Sequence, residues 1–159
     1  MNYIPLEDYR YRWFFSHKDL PVDPADLQKI KPIASDSAIQ IWQQLISNRA
    51  NHSELFHKDD WPKSNQTWQE TVNWQEAWDS EEVDLPADVL DALNWEPETV
   101  VYFCYHSENI IETTWQVFEK SWKNFLFLDD GPILIGKRRT QALQFMDDGQ
   151  VKIGVRGSV

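Results

Sequence analysis

Few residues in this 159-residue chain have types and spacings that could carry chemistry. His106, Glu108 and Glu112 lie close together beside Thr113 and Thr114. A histidine and two carboxylates at a turn between extended and helical segments are the raw material of a general acid–base pocket or a small-ligand site. His52, His57, Asp59 and Asp60 form the only local cluster of metal-ligand types. The two histidines are five apart, however, and do not share a helix face as an i, i+4 pair would, so no metal is expected there. Asp129-Asp130-Gly131 and Asp147-Asp148-Gly149 each set two carboxylates in a tight bend. Neither has the alternating ligands and closing Glu of a calcium loop, so both read as turns. Five glycines leave no room for a phosphate-binding loop, and no nucleophile elbow is present. Cys104 sits among apolar neighbours as an inert thiol, so no catalytic residue and no cofactor are assigned.

Charge points elsewhere. The formal net charge of −11 belongs entirely to residues 1–98, whereas residues 99–159 are neutral. No Lys or Arg occurs between Lys63 and Lys120, and ten acids fall between Glu70 and Glu98. Trp68, Trp74, Trp78 and Trp95, four of the nine tryptophans, lie in the same stretch. A surface of Trp68, Trp74, Trp78, Glu81, Glu82 and Asp84 would suit a basic protein, through long-range attraction and cation–π contacts. The blander outcome of this composition is a solvated acidic face whose Trp side chains point inward. A phosphate backbone needs positive charge, so nucleic acid is not expected as a partner. Lys137-Arg138-Arg139 is the one dense basic spot, expected to fold back onto the acidic half.

The elements that would position these residues follow from periodicity. Tyr11, Trp13 and Phe15 alternate as in a short strand or extended arm. Asp23-Pro24 begins a short helix that Lys31-Pro32 must end. Ser35 caps a helix over 36–49, with Ala38, Ile41, Trp42, Leu45 and Ile46 as its buried stripe. Between 51 and 84 the pattern weakens: Trp61-Pro62 marks a turn, and the spacing of Trp74 and Trp78 fits a helix or a Trp-stapled loop. A helix is expected from about Pro86 to Leu93. Val100 to Tyr105 reads as a strand buried on both faces, with Ile110 to Thr113 as its partner across a turn at 107–109. Trp115, Phe118, Trp122 and Phe125 give a helix over 114–124. Residues 127–136 and 145–154 repeat Phe, Asp, Asp, Gly, Ile and Gly at an offset of 18. Each copy predicts a hairpin, and together a meander of about four strands.

The fold class expected is α+β, with helices of residues 20–95 and the helix 114–124 packed on a mostly antiparallel C-terminal sheet. The length suits a single domain over 1–159, helical and acidic to 98 and sheet-rich beyond. No apolar run near 18 residues and no leader-like start are present, so a soluble, cytoplasmic protein is expected. The leading functional expectation is a non-enzymatic interaction module whose acidic Trp-bearing surface binds a basic partner. A pocket at the 106–115 junction and a homo-oligomer burying its aromatic excess are the alternatives.

Several segments resemble one family over nearly the whole chain. They include Met1-Asn2-Tyr3-Ile4-Pro5-Leu6, His17-Lys18-Asp19-Leu20-Pro21, Trp74-Gln75-Glu76-Ala77-Trp78-Asp79 and Ile111-Glu112-Thr113-Thr114-Trp115. The most specific is Trp122-Lys123-Asn124-Phe125-Leu126-Phe127, which runs on to Pro132. The chain resembles an uncharacterised bacterial family, domain-of-unknown-function family 2947. The resemblance implies a stand-alone bacterial protein and carries over no catalytic residue.

Overall fold

Val100 to Tyr105 has large β-branched and aromatic side chains at every position, so a strand made from it must be covered on both sides. In a computed structural model describing residues 1–159, this segment is β3 (Val100–His106), inside a seven-stranded sheet. The other strands are β1 (Lys31–Pro32), β2 (Trp68–Asn73), β4 (Asn109–Thr114), β5 (Ile133–Gly136), β6 (Gln141–Phe145) and β7 (Gln150–Val155). Their order is β1-β4-β3-β5-β6-β7-β2, and every pairing is antiparallel. The helices are α1 (Pro24–Leu27), α2 (Ser35–Leu45), α3 (Gln75–Asp79), α4 (Ala87–Ala92) and α5 (Trp115–Phe125). The fold is α+β.

Alternation along β3 divides the core in two. Val101, Phe103 and Tyr105 face α5, α4 and the N-terminal segment, where Phe118, Trp122 and Phe125 meet Phe14 and Phe15. Tyr102 and Cys104 face the opposite layer, built from Ile41, Trp42, Ile46, Phe56 and Trp61. The Thr114 hydroxyl caps α5 by accepting the Val117 N–H at 3.3 Å.

Several elements differ from the sequence expectation. Residues 12–15 form a 3-10 turn that buries Phe14 and Phe15 and leaves Trp13 half exposed, because the aromatic core beneath takes two consecutive side chains. Helix α2 stops at Leu45: Ser47 leaves the helix and donates its hydroxyl to buried Asp60 at 2.9 Å. Strand β2 was not anticipated, since an edge strand with a mostly exposed surface has no apolar alternation to reveal it.

Only the second copy of the repeat is a hairpin. Gly149, at φ 87°, turns β6 into β7, whereas Gly131, at φ 95°, passes the chain from α5 into β5. Phe127 in the first copy completes the end of α5 and packs on Trp13, Phe14 and Trp78. Pro132 also stands where the second copy has Gln150, whose N–H closes the turn onto Asp148. The meander therefore has three strands, β5 to β7. Gly154 lies so close to β2 that an added Cβ would sit 2.0 Å from the Thr67 carbonyl oxygen.

Candidate functional site

Of the ten carboxylates of residues 70–98, Glu70, Asp88 and Asp91 meet at the β2 end of the sheet. All ten are solvent-exposed, Glu81, Glu82 and Asp84 among them. None takes part in any ion pair of the molecule. Glu70 on β2 lies beside Asp88 and Asp91, which are three apart on α4 and so share its face. Residual desolvation, then the charges of Asp88 and Asp91, hold the Glu70 carboxyl above its ordinary value. Like charges are gathered here without a cation.

The tryptophans of the same stretch look inward. Trp74 is buried and donates its indole N–H to the Met146 carbonyl at 3.0 Å. Trp68 and Trp78, both half-buried, donate to Pro62 and Lys123 carbonyls at 2.8 and 2.9 Å. Their indoles fix the backbone on which the acids stand; the solvent-facing part of the predicted surface is its carboxylates. Helix α5 holds the acidic loop 80–85 in the same way. Trp122 donates to the Val83 carbonyl at 3.0 Å, Lys123 Nζ donates to the Ser80 carbonyl at 2.9 Å, and Leu85 is buried.

Strand β2 also ends the sheet, paired only with β7. The Trp74 N–H donates to the Gly149 carbonyl, and in this register Val72 and Glu70 direct their backbone groups at Val151 and Ile153. The N–H and C=O of Thr71 and Asn73 therefore point away from the sheet. An open backbone edge and an unpaired acidic field adjoin.

His106, Glu108 and Glu112 do not converge. Glu112 is opposite Tyr102 and Lys31 and accepts the Tyr3 hydroxyl at 3.1 Å on both oxygens. Burial, and then the Glu112 charge, push the Tyr102 hydroxyl up to about 12. His106 is opposite Asn109, four residues and about 13 Å further along β3. Its neighbour is His52, with ring centroids 6.3 Å apart. Burial, and then His52, lower the His106 pKa below its ordinary value, with Arg10 adding to the effect and Glu108 and Asp130 opposing it. Glu108 is exposed at the turn.

Of the four metal-type residues of the 52–60 stretch, His57, Asp59 and Asp60 stay together and His52 turns away. His52 Nε2 lies 3.3 Å from Asp130 Oδ2. Asp60 is buried and accepts from Ser47 Oγ and the His57 N–H, with Arg49 Nε at 3.6 Å. No three His, Cys, Asp or Glu side chains are placed to hold a metal ion. A local sequence pattern explains the histidines. Each is followed two residues later by an acid, as in His17-Lys18-Asp19, His52-Ser53-Glu54, His57-Lys58-Asp59 and His106-Ser107-Glu108. In every case the acid's backbone N–H donates to the ring Nδ1 at 3.2 Å. The neutral ring then carries its proton on Nε2, a donor rather than a metal ligand.

Lys137, Arg138 and Arg139 form no ion pair, although their turn lies against Thr99 and Val100, just past the acidic stretch. Arg139 instead offers its carbonyl to Arg156 Nε at 2.8 Å. No helix is long and apolar enough to cross a membrane.

No curated protein and no solved structure matches the chain. A family model described as "Protein of unknown function (DUF2947)" matches residues 3–154, from the N-terminal arm to the end of the sheet, and the chain belongs to that family.

Proposed function

We propose that this protein is a protein-interaction module that binds a basic partner, and that the partner presents an extended Lys/Arg-rich segment to the β2 edge. The observation that carries this reading is the group Glu70, Asp88 and Asp91, exposed and outside any ion pair, beside the outward backbone groups of Thr71 and Asn73. An added strand would satisfy that edge through its main chain, and alternate basic side chains would meet Glu70, Asp88 and Asp91. Long-range attraction by the acidic field speeds encounter and makes binding sensitive to salt. The inward-facing Trp68, Trp74 and Trp78 serve as framework. The setting we propose is the bacterial cytoplasm, supported by the family resemblance and by a single cysteine that is buried and free.

Two variants separate backbone pairing from charge. Thr71→Pro removes an outward N–H while sparing the bonds to β7. Glu70→Gln with Asp88→Asn and Asp91→Asn removes the charges. With a fluorescent Lys/Arg-rich peptide, both variants are expected to lose at least about tenfold in affinity, in keeping with charge-assisted or strand-adding recognition. Equal binding by wild type and both variants would overturn the reading.

A further inference from the structure

We propose that a cleft between the N-terminal arm and α1 binds a small amphipathic anion, an aliphatic or aromatic body bearing one carboxylate. The cleft, open to solvent on one side, has a volume of about 730 Å³, within the usual range for small-molecule sites. Leu6, Phe15, Leu27 and Ile30 give it apolar walls. Its charged lining is Arg12, Lys31 and Glu7; Lys31 stands opposite Glu112 across β1 and β4, which leaves Arg12 as the cation free to take an anion. An acidic protein would favour a cationic amphiphile over most of its surface; this lining reverses the preference.

Arg12 is set for the role. Its Nη1 donates to the Glu7 carbonyl at 2.7 Å, which fixes the guanidinium at the cleft. No carboxylate lies within ion-pair distance of Arg12 or Lys31. The remaining guanidinium N–H groups can thus take a carboxylate in two parallel bonds. The arm that forms one wall is itself tied down. Ile4 N–H donates to the Pro32 carbonyl at 2.9 Å, and Asn2 accepts the Ala34 N–H at 2.9 Å.

The test compares octanoate, octanol and octylammonium as probes in an NMR titration of the full chain. Octanoate is expected to shift the amide signals of residues 4–7, 12–16 and 27–31 and to bind about tenfold more tightly than octanol. Arg12→Gln, an exposed substitution that keeps the fold, should bring octanoate to the level of octanol. Leu27→Glu should abolish octanoate binding and admit octylammonium. Equal binding of octanol or octylammonium to the wild type, shifts scattered away from the cleft, or an Arg12→Gln variant with unchanged affinity would each overturn the proposal. Because the cleft lies outside residues 70–98, failure here leaves the basic-partner reading untouched.

Discussion

Trp122, fully buried in α5, donates its indole N–H to the carbonyl of Val83, a residue 73% exposed between Glu82 and Asp84. A fully buried side chain of the aromatic core thus pins the acidic loop 80–85. A loop of repelling carboxylates would otherwise spread apart, and the bond keeps Glu81, Glu82 and Asp84 on one short, ordered segment.

Trp122→Phe keeps most of the core volume and removes that N–H. The expected cost is about 1–2 kcal/mol, from a carbonyl left without its donor. Hydrogen exchange in residues 80–85 should rise more than in β3. Unchanged protection of the loop would show that Lys123 and Leu85 hold it unaided.

Trp42 anchors the other layer, 1% exposed and bonded through its indole to the Ala50 carbonyl at 2.6 Å. Trp42→Ala should destabilise the protein by about 3–5 kcal/mol in urea unfolding. A loss under about 1 kcal/mol would contradict its place in the core.

Asp60 is a buried carboxylate whose partners are Ser47, the His57 N–H and Arg49. Asp60→Ala should cost about 2–4 kcal/mol, because a buried hydroxyl and a backbone N–H lose their acceptor together. Asp59→Ala, at an exposed carboxylate next door, should change stability by less than about 0.5 kcal/mol.

The layout of the sheet explains what was legible beforehand. Segments with a buried stripe or two buried faces, such as α2, β3, β4 and α5, are visible in periodicity because burial dictates their residue types. Strand β2 is not, since its pairing with β7 is a main-chain matter and its side chains are mostly wet. The echo between 127–136 and 145–154 misled because Asp-Gly specifies a positive φ but not what precedes it, and Phe127 belongs to the end of a helix. Of the site, the acidic stretch was plain from charge alone. Inward-pointing tryptophans were one of the two outcomes its composition allowed, whereas the open edge at Thr71 and the pairing of His52 with distant Asp130 depend on tertiary placement.

His106 supplies a dependence on pH. Its lowered pKa means that the folded state holds the neutral ring while the unfolded chain takes up a proton first, near 6.5. The contribution is therefore present above that value and is lost as the pH falls through the lower folded-state pKa. Thermal unfolding of the wild type and His106→Gln should show a difference that narrows on acidification from pH 7.5. A difference constant with pH would contradict this account.

Binding of a basic segment should also draw the raised Glu70 carboxyl down, so complex formation releases protons where that carboxyl titrates. Calorimetry in buffers of different ionisation heat across an acidic pH series should detect the release, and it should vanish in Glu70→Gln.

The proposed recognition needs carboxylates and an open edge working together, and one measurement tests that directly. The affinity of the wild type for an extended Lys/Arg-rich peptide is measured across a salt series, beside Thr71→Pro and the triple variant at Glu70, Asp88 and Asp91. The prediction is salt-sensitive binding by the wild type, a flattened salt response in the triple variant, and weakened binding with retained salt sensitivity in Thr71→Pro. Binding by all three with one affinity and one salt response, or by none, would contradict it.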